Sequence, residues 1–211
     1  MPLASTRPVD VLVLGNTTAD RVMVVDGPWR VGSKRAAASS AIMPGGEGAN
    51  VATTLAALGM RVHYLGRFGD DDGGEMSRAA LEAAGCVLDG SSTVPGCPHH
   101  HALVVVDRST GERSIVSHRD PRLELPAEAV GAQWVRRARA LSLDGQEAAP
   151  SLIAARLARE AGTTVFADAE RGDAALAALA PWVNELVVPL AVLLELAGPD
   201  ASAEDAVRSA A

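Results

Sequence analysis

Short apolar runs alternate with stretches of helical periodicity along most of this chain. Val9–Leu14 is a β-branched apolar run ending at Gly15 and predicts a buried first strand. An extended stretch follows at 21–25, then polar and small residues over 31–43. Gly45, Gly46 and Gly48 break the chain before a helix over about 49–58, which carries Val51, Leu55 and Leu58 on one face and stops at Gly59. Residues 61–65 read as a strand, 69–72 as a polar turn, and 76–84 as a helix closed by Gly85. Two alternating runs, 102–106 and 113–117, flank a turn-rich connection at 107–111, the pattern of a β-hairpin. After the hairpin, strands at 138–143, 163–167 and 185–188 alternate with helices at 151–161 and 173–179, with more helix beyond.

Buried strands alternating with helices mean parallel βαβ units with right-handed crossovers. The predicted fold class is therefore α/β: a three-layer, doubly wound, mostly parallel sheet forming a single domain over 1–211. The hairpin-like pieces at 21–43 and 102–117 interrupt the alternation and predict a small β-sheet beside that core. Aromatics make up only 3% of the chain, so the core must be built from Ala, Val and Leu, which suits helices packed on a buried sheet. A formal net charge of −7, with no block of Lys or Arg, argues against nucleic acid as a partner. The N-terminus lacks the apolar region of a signal peptide, and the apolar run over 186–194 contains Pro189 and is too short to span a bilayer. No membrane association is expected. For Cys86 and Cys97, two free thiols in a reducing cytoplasm are the default reading and a disulfide the alternative.

Ligands of a doubly wound sheet bind outside the carboxyl ends of its strands. That rule singles out Asp20, the segment from Gly45 to Asn50, Asp144 and Asp168. Glycines permit close backbone approach to a ligand, and a helix N-terminus supplies free N–H donors. The plain alternative for Gly45–Asn50 is a loop before a capped helix. A dinucleotide fingerprint fails, because Val51 stands where a third glycine or alanine belongs and Met43-Pro44 precede the segment instead of a buried strand. The plain alternative for Asp20 is a solvated turn residue, and for Asp144 a helix N-cap. His99-His100-His101 cannot all ligate one ion on an extended strand, where neighbours face opposite ways, so no metal site is predicted there. Asp70-Asp71-Asp72 reads as a turn and helix N-terminus. Trp29, Trp134 and Trp182 are too scattered for a stacking platform.

Gly45-Gly46-Glu47-Gly48-Ala49-Asn50, running into Val51–Gly59, resembles the first signature of the ribokinase-like (PfkB) sugar kinases. Val11–Asp20 resembles that family's first strand and sugar-binding aspartate. Gly66–Asp71, Val104–Asp107 with Gly111–Arg113, and Thr164–Glu170 resemble its later segments in order. The resemblance implies a ribokinase-like fold with a β-sheet lid, and an ATP-dependent carbohydrate kinase using Mg²⁺. By position it implies that Asp20, Gly45, Gly46, Asn50 and Asp144 contact the sugar, and that Asp168 and Glu170 lie near the phosphate path. Glu47 stands where many members have lysine. The lid offers a dimer surface in relatives, so a homodimer is expected.

Two departures from the family pattern stand out. No Gly-Ala-Gly-Asp segment, which supplies the catalytic base in relatives, occurs in the chain, so no catalytic base is assigned and a missing C-terminal part is expected. Where members carry Asn-x-x-Glu, this chain has Pro189-Leu190-Ala191-Val192-Leu193. The alternative to a kinase is therefore a catalytically inert sugar- or nucleoside-binding remnant. Loss of later strands would also leave the strand at 186–188 near an uncovered edge, which predicts association.

Overall fold

The computed structural model describes residues 7–197 and residue 202. In chain order its elements are β1 (Val9–Leu14), β2 (Thr18–Val25), β3 (Ser39–Gly45), α1 (Glu47–Ala57), β4 (Val62–Leu65), β5 (Arg67–Phe68), α2 (Asp72–Ala83), β6 (Ser92–Thr93), β7 (His101–Asp107) and β8 (Arg113–His118). Then follow α3 (Ala132–Arg137), β9 (Ala138–Leu143), α4 (Ala148–Ala161), β10 (Thr164–Asp168), α5 (Ala174–Leu179), β11 (Glu185–Val187) and α6 (Leu190–Ala197).

Five strands form an all-parallel sheet in the order β11-β10-β9-β1-β4. Side chains alternate across β1: Leu12 and Leu14 pack with α4 residues Ala154, Ala155 and Ala158, while Val11 and Val13 pack with α1 and α2 residues Ala52 and Leu81. Both faces of the sheet are thereby covered, giving the three layers expected from the alternation. Alanine on α4 lets helix and sheet approach closely, and Leu12, Leu141 and Ala154 are fully excluded from solvent. Each leucine so buried contributes roughly 1.5–3 kcal/mol. Asp71 caps α2 by accepting the Gly74 N–H at 3.0 Å, which fits the expected role of the 70–72 run. Cys86 and Cys97 are free, buried thiols. No helix among the described residues is long and apolar enough to cross a membrane.

A second, four-stranded sheet has the order β3-β2-β7-β8. It is mixed: β2 pairs parallel with β7 and antiparallel with β3, and β7 and β8 form the predicted hairpin. Besides earlier starts for the helices expected over 76–84 and 151–161, which begin at Asp72 and Ala148, three boundaries near the site differ from the sequence reading. The stretch at 21–25 begins at Thr18, so Asp20 lies within a strand and is not a turn residue. Part of the polar run at 31–43 belongs to β3, which leads directly into the glycine segment; six of its seven residues are exposed, so no buried face produced a hydrophobic pattern. Helix α1 starts at Glu47, because Gly46 already occupies the N-cap position. The last strand, β11, is an edge of the parallel sheet among the described residues.

Candidate functional site

Parallel strands end on the same side of their sheet, so the carboxyl ends of β1, β9 and β10 bring Gly15, Asp144 and Asp168 to one edge. Glycine packing draws the start of α1 onto that edge. A Cβ on Gly48 would lie 2.8 Å from Gly15 Cα, and one on Gly46, whose φ is +97°, would lie 2.6 Å from Thr17 Cα. The two turns therefore touch backbone to backbone. The buried Tyr64 hydroxyl, kept protonated by burial, donates to Gly15 O at 2.7 Å from below.

Asp20 lies over Gly45, so closely that a side chain there would collide with its carboxylate. Thr18 Oγ1 donates to Asp20 Oδ1 at 2.6 Å. Behind it runs a polar chain that fixes β2 to α2. His99 Nδ1 accepts the Gly69 N–H at 3.1 Å, which leaves Nε2–H to donate to Ser77 Oγ at 3.1 Å, and Ser77 Oγ donates to Thr18 O at 3.2 Å. Burial holds His99 down to about 4, and the neutral ring is what allows Nδ1 to accept. The histidine run divides as extended backbone requires: His99 donates its backbone N–H to Asp71, and His101 Nε2 lies 3.2 Å from the same carboxylate. His100 instead feels the charges of Arg119 and Asp20; burial, then Arg119, bring it to about 4, and its buried Nδ1 has no partner.

Asp144 is 3% exposed, and backbone groups occupy its oxygens: the Asn16 N–H at 2.5 Å on Oδ2 and the Gln146 N–H at 3.0 Å on Oδ1. Burial raises its pKa against these bonds. It pins the turn after β1 to the turn after β9, and α4 takes Glu147, not Asp144, at its N-cap position. Asn50 is exposed on the first turn of α1, where it lines a narrow cavity with Gly45, Thr53 and Ser77. Gly45 thus lies against Asp20 and shares a cavity lining with Asn50, whereas Asp144 sits against Gly15.

At the same edge, the carboxyl group of Glu170 after β10 disfavours ionisation of Glu47 on α1. Burial first, then Glu170 and Asp144, push Glu47 up to about 8; Gln146 Nε2 donates to it at 3.3 Å and partly offsets the rise. Asp168 is exposed at the end of β10. Carboxylates are acceptors, suited to a hydrated Mg²⁺ and not to phosphate oxygens. The one arginine lining this corner, Arg171, donates to Gln146 Oε1 at 3.1 Å. Asp168 and Glu170 therefore fit a magnesium ion but do not by themselves fit a triphosphate.

Sequence reading missed the Arg119–Glu147 ion pair, which joins the end of β8 to the start of α4. Glu147 is 1% exposed and also accepts the Leu125 N–H at 3.0 Å. No spacing signal links residues so far apart. It also missed Asn16, whose buried amide oxygen has no donor.

Residues 9–206 match the profile of the pfkB family carbohydrate kinase. An ATP-dependent ribose-1-phosphate kinase from Halopiger xanaduensis is 31% identical over 183 residues, covering 83% of this chain and 59% of that protein. Fructokinase-1 of Zea mays is 31% identical over 133 residues, 59% of this chain and 41% of its own. The chain thus spans well under two thirds of the length of these relatives. Arabidopsis thaliana ribokinase, solved with ribose and ATP, superposes with a TM-score of 0.77 at 23% identity over 96% of this chain and 68% of its own. Xylella fastidiosa fructokinase gives 0.77 at 24% identity over 95% and 68%. These likenesses establish the ribokinase-like fold.

Proposed function

The chain belongs to the pfkB family of carbohydrate kinases, and on that premise we propose that it holds a sugar in the crevice between the two sheets, for phosphorylation by ATP in the whole protein. The observation that carries this reading is Asp20 held over Gly45 by Thr18, with Asn50 lining a cavity together with that glycine. An ionised carboxylate is a strong acceptor for sugar hydroxyls, and glycines at 45 and 46 let a ring approach the backbone. In this reading Asp144 serves the sugar indirectly, by holding the loop that carries Asn16 and Gly15. Mg²⁺ would take Asp168 and Glu170 as ligands and supply charge neutralisation at the transferred phosphoryl group.

Calorimetric titration of the 211-residue chain with ribose, fructose and nucleosides tests the reading. Binding of a sugar, weakened tenfold or more by Asp20→Asn, is expected. A folded chain that binds no sugar overturns it. A second reading, a sugar binder without turnover, is favoured by α6: Val192 is buried against Ala169 and Leu176, where family members place a glutamate. A coupled ATP-turnover assay on the same preparation separates the two. We further propose a cytoplasmic location. We also propose a homodimer through the second sheet, whose exposed Ile42, Leu103 and Val116 lie on one face. Light scattering that finds only monomer would exclude the dimer.

A further inference from the structure

The three consecutive histidines divide between the two faces of the second sheet. His99 bonds Ser77 on α2, and His101 Nε2 stands 3.2 Å from Asp71 at the start of that helix, so both rings lie on the α2 side. His100, between them, faces the other way. The strand register identifies that other side. Ala19 pairs with His101, and the Ala19 N–H donates to His100 O at 2.8 Å, so β2 and β7 keep step back to Thr18 and His100. Asp20 pairs with Ala102, two residues further on. Thr18, Asp20 and His100 therefore share one face, where the Thr18 hydroxyl already bonds Asp20. On the other flank His101 pairs with His118, which brings the next residue, Arg119, to the same face beside His100. The charges that act most on His100 are those of Arg119 and Asp20, as this placement requires.

His100 is half-buried, and among the described residues no protein group bonds either of its ring nitrogens. Nδ1 is closed off from solvent, whereas Nε2 is not, which leaves Nε2 as the nitrogen that a ligand can meet. Burial, then the Arg119 charge, keep the ring neutral. A neutral imidazole offers one N–H and one lone pair. A hydroxyl answers Nε2 whichever nitrogen carries the proton, because it both donates and accepts. A ring oxygen can only accept, and a carboxylate or phosphate on the ligand would meet Asp20.

We propose that His100 reads a hydroxyl adjacent to the one that Asp20 holds, so that the substrate class is a sugar with a vicinal diol at this corner and not a deoxy sugar. This rests on the sugar-binding reading above and deepens it to a specificity residue and a substrate class. Asp20 and His100 are diagonal neighbours on one sheet face, close enough for their side chains to reach one ligand. A diol presents its two hydroxyls side by side: one donates to the carboxylate, and the other bonds the imidazole. When that second hydroxyl is absent, Nε2 loses its water and gains no partner, and a site built around a hydroxyl rejects the analogue that lacks it.

The test is calorimetry on the 211-residue chain, with ribose against 2-deoxyribose and 3-deoxyribose, and fructose against its 1-, 3- and 4-deoxy analogues. For the parent sugar that binds, at least one analogue should bind about tenfold more weakly or worse. His100→Phe keeps a ring of similar size without its nitrogens. It should weaken the parent about tenfold and leave that analogue within about twofold, bringing their ratio close to unity. His100→Leu, with circular dichroism as the fold check, serves if the first variant misfolds. A native chain that binds every analogue as tightly as its parent overturns the proposal. So does a preference that survives in the folded His100 variant, or a loss that falls equally on parent and analogue; the sugar-binding reading stands in each of these cases. A folded native chain that binds none of these sugars removes both readings.

Discussion

Every residue of β4 is buried, whereas every residue of β8 is exposed. The parallel sheet is held by helices on both faces and would stand on apolar packing alone. The four-stranded sheet shows Ile42, Leu103 and Val116 on one face and Met43 and Ile115 on the other, and its buried apolar side chains are few and small: Ala19, Val25, Ala102 and Val105. Polar contacts at its roots add to these: His99, Ser77 and Thr18 at the start of β2, and Arg119 with Glu147 at the end of β8. The difference teaches that the second sheet's orientation over the crevice depends on a few buried polar bonds, each of which a single substitution can remove.

The comparison breaks most severely at Glu147. Glu147→Ala leaves Arg119 without its buried partner and should cost about 3–5 kcal/mol of stability, read as a fall in the urea midpoint. A loss under about 1 kcal/mol would mean that the second sheet is anchored elsewhere. Next in size is Gly48→Val, which drives a side chain into the Gly15 backbone; about 1–3 kcal/mol is expected, together with weakened sugar binding.

His99 gives a pH signature. Its folded pKa of about 4 lies below its unfolded value of 6.5, so between those values the unfolded chain binds more protons. Its contribution is fully present above pH 6.5 and is lost as pH falls toward 4. The stability gap between the native chain and His99→Gln should therefore shrink across that window, in paired denaturant melts; a pH-independent gap would contradict the buried neutral ring. Glu47 runs the other way. Its folded value near 8 exceeds the usual 4.5, so the folded chain holds the extra proton and loses stability as pH rises from 4.5 to 8. The smallest effect belongs to the exposed face of the second sheet: Val116→Thr should change stability by no more than about 0.5 kcal/mol.

How much of this was readable in advance depended on whether a residue's signal was local. Ala138–Leu143 stands where the pattern placed it, because its apolar residues Ala138, Leu141 and Leu143 are the ones the sheet buries. Strand β3 carries no hydrophobic alternation, because six of its seven residues are exposed. The glycines at 45, 46 and 48 announced a close approach without saying to what; the answer, Gly15 and Thr17, lies some thirty residues earlier and only folding joins them. Asp144 was picked out at its strand end, yet its surroundings make it a bolt between loops.

The sequence by itself determined the alternating α/β core and the glycine segment opening α1, since each rests on spacing within a short window, and its ordered segments resemble the family to which the chain belongs. Tertiary structure alone decided which carboxylates are spent and which are free. Burial and hydrogen bonding at Asp144, Glu147 and the Glu47–Glu170 pair come from segments far apart in the chain. Electrostatics in a buried site depends on distances that no local pattern encodes.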